Sequence, residues 1–452
     1  MKTDMTKGDI QSHLTRFAIP LILGNIFQLT YNAVDSIVVG RYVGNEAQAA
    51  VGTSNPLMNI IVFFIIGICT GTSVLMSMYF GAKEYDKLKR EISTSMIVGT
   101  AFTLGVTVLT IVLAKPLLLM IQTPTEILSL ATGYLRVVCI GLVFTFLYNI
   151  YAATLRSMGD SKTPIYFLVF SSILNIILDF VLVAWLDCGV NGVGYATVLS
   201  QMTSSILCML YVRKRVPMMH FTREEFVVDK TLLKDTINYS WSTAIQKIAL
   251  NVGKVLVQGC VNSLGVDAIA TFNAVSRVDD FVFQPQQSIG SAMTTFIAQN
   301  KGAGKKDRIQ KSLKIGLIME TVYWVGIGSL IYLVSDKIMH LFVEDSTNRV
   351  VSMGVSYLRA MALFYFMPAM TNGIQGYFRG LGKLNINFYS TFIQMIGRVS
   401  MAYVLVPRLG VFGIALSCFI GWVVMLLYEV PYYFWYRSRE KKLEREQAVQ
   451  TI

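Results

Sequence analysis

From residue 17 to residue 436 the chain is a succession of apolar runs, each of membrane-crossing length and closed by a short polar loop. A hydrocarbon core takes about 20 apolar helical residues to cross. Twelve spans are read, at 17–40, 54–80, 92–113, 131–155, 164–186, 190–212, 236–262, 268–299, 312–335, 350–379, 384–407 and 411–436. A composition of 54% hydrophobic and 15% charged residues leaves too little polar surface for a soluble chain of 452 residues. The fold class that follows is an all-α polytopic membrane protein with twelve transmembrane helices. The first apolar run is as long as the later ones and follows a polar segment, "MKTDMTKGDIQSHLTR", so no cleaved signal is expected.

The net charge of +12 raises the question of nucleic acid, and its distribution answers it. With the N-terminus on the inside, alternate loops and the two termini hold 28 Lys and Arg on the inside against 5 outside. That asymmetry is the positive-inside pattern. It implies a multi-pass protein of the bacterial inner membrane with both termini cytoplasmic, meeting anionic lipid and no nucleic acid. A single chain is expected to be the working unit. The six cysteines and three histidines show no ligand spacing, so buried structural thiols are expected and a zinc site is not.

The chain also repeats itself. "YVGNEAQAAVG" (42–52) resembles "SLGVDAIATFN" (263–273), and "GAKEYDKLK" (81–89) resembles "GAGKKDRIQ" (302–310), both at an offset of 221 residues. "RSMG" (156–159) returns as "RGLG" (379–382) at 223, and "GVNGVGYA" (189–196) as "GVFGIAL" (410–416) at 221. Two six-helix lobes, 17–212 and 236–436, are therefore related by a parallel repeat. A cytoplasmic N-terminus (1–16), a charged inter-lobe loop (213–235) and a basic cytoplasmic tail (437–452) complete the chain.

Within the first lobe a few polar residues stand in apolar surroundings. Asp35 lies in span 1, in "LTYNAVDSIVVG", with Tyr31 one turn below it and Pro20 placed to bend the helix. Asp179 lies in span 5, in "NIILDFVL", with Asn175 one turn away on the same face, and Thr197 enters from span 6. A carboxylate near the middle of a bilayer helix costs roughly 2.5–3.5 kcal/mol on insertion scales, so it is expected to have a partner or a task. Two carboxylates with amide and hydroxyl oxygens suit a Na⁺ site or a proton carrier.

At the matching positions of the second lobe, Leu256 and Ala402 replace the two aspartates. Its in-span charges are Lys247, Lys254, Arg277, Asp279, Asp280 and Arg398, read as structural ion pairs or as substrate contacts, with Lys247 placed to face Asp280. Glu320 stands alone, and Glu429, near the inner end of span 12, is expected to reach the interface. The glycines of "GICTG" (67–71) predict close helix approach. No P-loop is present, so nothing supports ATP-driven transport or a bound cofactor.

The stretches 17–44, 71–89, "LRSMGDSKTP" (155–164), "NIILDF" (175–180) and 294–311 resemble the multidrug and toxic compound extrusion (MATE) family over residues 15 to 440. The resemblance implies export of amphipathic, often cationic, drugs or metabolites in exchange for H⁺ or Na⁺ by alternating access. It matches Asp35, Asp179 and Asn175 to the family's coupling residues, and Pro20, Tyr31 and Thr197 to residue types of the branch coupled through the first lobe. Asn149 matches a fourth-helix asparagine and, with Gln28, Lys247, Asp279, Asp280 and Arg398, is a candidate for the substrate cavity. Spans 7 and 10 hold no acid, which sets the chain apart from the branch coupled through the second lobe. A flippase of lipid-linked or anionic cargo is the main alternative. An intramembrane aspartyl protease is the remote one, since its Tyr-Asp and Gly-x-Gly-Asp signatures are missing.

Overall fold

The computed structural model describes residues 4–222, 224–342 and 348–450, without the side chains of 31–41, 45, 218, 342, 348, 444 and 447–450. The first half runs α1 (Ile10–Tyr42), α2 (Asn45–Ala82), α3 (Tyr85–Met120), α4 (Thr125–Ile140), α5 (Leu142–Ser157), α6 (Lys162–Asp179) and α7 (Gly189–Arg215). The second runs α8 (Lys230–Asn262), α9 (Val266–Gly302), α10 (Lys306–Phe342), α11 (Asn348–Phe364), α12 (Phe366–Gly380), α13 (Leu384–Leu409) and α14 (Val411–Gln450). No strand occurs among the described residues. α4 and α5 form one span across Gly141, and α11 and α12 form one bent by 40°. Counted so, the fourteen helices make the twelve spans expected. Seven helices, and the bent pair, are long and apolar enough to cross a membrane. Among those that fall short are α8, α9 and α13, each of which carries Lys or Arg within its span.

The helices are built inside-out relative to those of a soluble protein. On α6, Phe170, Ile173 and Ile177 are exposed, while Ser171, Ser172, Asn175 and Asp179 are buried. On α3, Phe102, Val108, Leu109 and Val112 face outward, while Thr103, Thr107 and Thr110 are buried. Lipid is as apolar as any side chain, so association rests on close packing and interhelical polar contacts. The glycines show the close packing. A Cβ on Gly67 would stand 2.3 Å from the Ala244 Cα, and one on Gly71 2.3 Å from the Tyr239 carbonyl oxygen, so α2 and α8 meet backbone to backbone as "GICTG" predicts.

The chain forms two compact units. The first comprises 1–248, 291–312 and 380–382, and the second 249–290, 313–379 and 383–452. The core of the first unit gathers Met76, Leu88, Ile92, Leu135, Phe146 and Ile150 from α2 to α5. That of the second gathers Val275, Val282, Tyr357, Tyr365, Ala402 and Ile414 from α9 to α14.

Two polar assemblies in the first unit are not evident in the sequence. Residues 5–8, ahead of α1, are held by the "QNKGAGKKDR" stretch. Gln299 Oε1 accepts from the Met5 amide at 3.1 Å, and its Nε2 donates to the Ser157 carbonyl at 2.8 Å. Lys305 Nζ donates to the Thr6 carbonyl, and Arg308 to those of Met5 and Gly8. The inter-lobe loop, expected only as a charged link, is strapped to α3. Lys89 pairs with Glu225 at 2.6 Å and Arg90 with Asp229 at 3.4 Å. Ser93 Oγ donates to the Val227 carbonyl, and Thr94 Oγ1 accepts from the Asp229 amide. The Lys89 ammonium beside Glu225 pulls that carboxyl down to about 2, and Asp229 is lowered by hydrogen bonds from Thr231.

Two expectations are corrected. Cys188 is exposed, unlike the other five cysteines, because it lies in the turn before α7. Glu429 does not reach an interface: it is fully buried on α14, where α13 covers it.

Candidate functional site

The site is built on α6, which packs against α1 on one side and α7 on the other. Gly24 permits the first contact, since a Cβ there would lie 3.0 Å from Ile165 of α6. Ser171 Oγ makes the second by donating to the Ser200 carbonyl of α7 at 3.0 Å. α6 ends at Asp179, where the backbone widens into a π-helical stretch, Phe180–Trp185. Such stretches are rare and frequent at functional positions, because the extra residue re-aims the side chains beside it.

Asp179 is wholly buried and Asn175 is 2% exposed. Both amide atoms of Asn175 lack a hydrogen-bond partner among the described residues. A buried carboxamide left so costs about 1–3 kcal/mol, so a ligand that satisfies it is favoured. Thr197 is half-buried on α7, and its hydroxyl donates to the Val193 carbonyl at 3.0 Å, which leaves the oxygen's lone pairs free to accept. Pro20 lies inside α1. Asp35 and Tyr31 stand on the helical backbone of α1, but their side chains lie outside the described residues.

The cavity candidates are scattered. Gln28 is exposed on α1, and Asn149 is half-buried with Nδ2 bonded to the Thr145 carbonyl of its own helix. Lys247 is half-buried on α8 in the first unit. In the second unit Asp280 lies 3.5 Å from Lys254, and Asp279 accepts from the Tyr365 hydroxyl at 2.6 Å. Arg398 lies among Cys418, Tyr357 and Asp279, its Nε buried without a hydrogen-bond partner among the described residues.

One buried carboxylate escaped the sequence reading. Glu91, at the start of α3, is fully buried and accepts from Thr236 Oγ1 at 2.9 Å and Ser95 Oγ at 3.1 Å. In "KREISTS" it looks like one more loop charge. The signal was its partner hydroxyls, Ser95 one turn on and Thr236 across the linker.

Comparison with known proteins gives this arrangement a family. The MatE family model matches twice, at residues 20–181 and 243–404, the second match displaced from the first by 223 residues at both ends. The double match is the internal repeat. The probable multidrug resistance protein YoeA of Bacillus subtilis is 32% identical over 75% of each chain. The probable multidrug resistance protein NorM of Thermotoga maritima is 25% identical over 90% of this chain and 88% of its own. The fold is shared, at a TM-score of 0.90, with an outward-facing MATE transporter of the MOP superfamily that is 22% identical and covers 98% of this chain and 99% of its own. The chain belongs to the MatE family of multidrug efflux transporters and is a carrier, not an enzyme.

Proposed function

We propose that the protein is a secondary antiporter that exports amphipathic, cationic drugs or metabolites in exchange for H⁺ or Na⁺, with both termini on the cytoplasmic side of the bacterial inner membrane. The carrying observation is the buried face of α6. It holds Asp179 at the mouth of a π-helical stretch and Asn175 one turn away, its amide unsatisfied among the described residues. On this reading Asp179, Asn175 and Thr197, with Asp35 and Tyr31 from α1, bind the coupling ion, and Pro20 lets α1 bend as it comes and goes. Occupancy shifts the carrier between its two access states only by the ion's differential affinity for them. The two six-span lobes are the bodies that rock.

The second lobe's Lys247, Lys254, Arg277 and Arg398 favour a second reading, in which the cargo is anionic or lipid-linked. A structural neighbour from Pyrococcus furiosus is described by the reverse polarity of its binding pocket and a different suggested function. Purified protein in liposomes separates the readings. A pH gradient and then a Na⁺ gradient are imposed, and transport of ethidium and of an anionic dye is followed. Ethidium movement driven by one gradient supports the antiporter and names its ion. Movement of the anionic dye alone supports the second reading.

A further inference from the structure

The repeat allows each half to be read against the other, and one place is built from opposite chemistry. Arg379 of α12 stands where the first half has Arg156, and Glu429 of α14 where it has Cys208. The two pairs are kept: Arg156 acts on Cys208 in the first unit, and Arg379 on Glu429 in the second. The packing around them is exchanged. Ala152, Pro164, Phe167 and Leu168 of the first half become Gln375, Asn387, Ser390 and Thr391. Five positions that are apolar or thiol in one lobe are thus polar in the other.

These side chains form one cluster. Gln375 Nε2 donates to Ser390 Oγ at 3.2 Å and reaches Thr391 Oγ1 at 3.4 Å, and Asn387 Nδ2 donates to the Gln375 carbonyl at 2.9 Å. Glu429 is wholly buried beside Ser390 and Gln375. Among the described residues neither of its carboxylate oxygens has a hydrogen-bond partner, and neither has Arg379 Nε. Glu91, equally buried, is tied down by two hydroxyls. Glu429 instead stands near Ser390, Gln375 and Arg379 without a hydrogen bond of that geometry among the described residues.

The groups facing Glu429 decide what it can bind. Arg379 is the charged one, from α12; α13 presents Ser390, and on α14 itself Tyr428 is adjacent. α11 also packs on α14, but its Arg359 is engaged with Ser335 and the Tyr332 ring. A sodium ion needs several oxygens around it and would sit against the Arg379 guanidinium. A proton needs one carboxylate oxygen. Glu429 lies two turns before Arg437, about 12 Å along the helix at about 1.5 Å per residue, so the basic end is its nearer source of water.

We propose that Glu429, faced by Arg379, is a second protonation site of this carrier, in the lobe that lacks counterparts of Asp35 and Asp179. The carboxylate takes a proton from hydronium to become the acid and returns it to water, turning a neutral Arg–Glu pair into a net cation and back. The inference extends the ion-coupled reading to the second half, and its test does not depend on that reading.

The experiment is infrared difference spectroscopy of the purified full-length protein in lipid, stepped from mildly acidic to alkaline pH, in the carbonyl region of protonated carboxylic acids. Wild type is compared with Glu429→Gln, Glu429→Asp and Asp179→Asn. Glu429→Gln should lose one band that titrates in wild type, and Glu429→Asp should shift it. Should the glutamine variant fail to fold, the shift in the aspartate variant carries the test. A wild-type spectrum in the Gln variant, or an unshifted band in the Asp variant, overturns the proposal. An unchanged spectrum in Asp179→Asn would instead count against the first-lobe proton site and leave this one standing.

Discussion

Asp179 and Glu91 are both carboxylates of the first unit with no exposed surface. Glu91 is fastened by Thr236 and Ser95, which makes it a structural anchor for the start of α8. Thr236→Val should lower stability by about 1–3 kcal/mol, the cost of leaving a buried polar group without its partner, seen as a drop in melting temperature in detergent. Asn175 is the opposite case, because its amide atoms have no partner to lose among the described residues. Asn175→Leu should leave the melting temperature near wild type while weakening ion-driven transport; a large loss of stability would show instead that the amide is structural. The sequence disclosed Asp179 because a carboxylate in an apolar run is conspicuous. It hid Glu91 because burial there comes from a linker strapped across α3, a tertiary event with no local signature. Glu429 misled for the same reason: nearness to a span's end suggests an interface, whereas α13 covers it.

At the scale of elements, α2 and α8 meet through glycines that leave no room for a side chain. Gly71→Leu should cost at least the roughly 1–3 kcal/mol typical of overpacking, because the clash is with the Tyr239 backbone. Reduced yield and a lower melting temperature would show it, and wild-type stability would contradict the close approach. The linker strap makes a pH prediction. Glu225 and Asp229 titrate below their ordinary values, so their contribution is present in full above those values and is lost as pH falls through the depressed ones. For Glu225 the window runs from 4.5 down to about 2. Hydrogen exchange of residues 222–230, corrected for intrinsic rate, should rise across that window and should already be raised at neutral pH in Lys89→Ala. Flat exchange would mean the ion pairs do not hold the strap. Helix number and order were readable from apolar run length alone. The break at Gly141 and the π-helical end of α6 were not, because each depends on how a helix is received by its neighbours.

For the whole molecule, the repeat carries the argument. It was legible in four short matches, and the MatE model finds it at a 223-residue displacement over most of both halves. Two copies of one bundle have diverged in complementary ways: Asn175 and Asp179 correspond in sequence to Arg398 and Ala402, and Cys208 to Glu429. On this account the first lobe couples to the ion through Asp179. The most direct test is to reconstitute Asp179→Asn and measure two rates in the same liposomes. One is ethidium counterflow, which needs only the access change; the other is ethidium accumulation driven by the coupling-ion gradient. The account predicts that counterflow survives and gradient-driven accumulation is lost. Gradient-driven accumulation at the wild-type rate would contradict it.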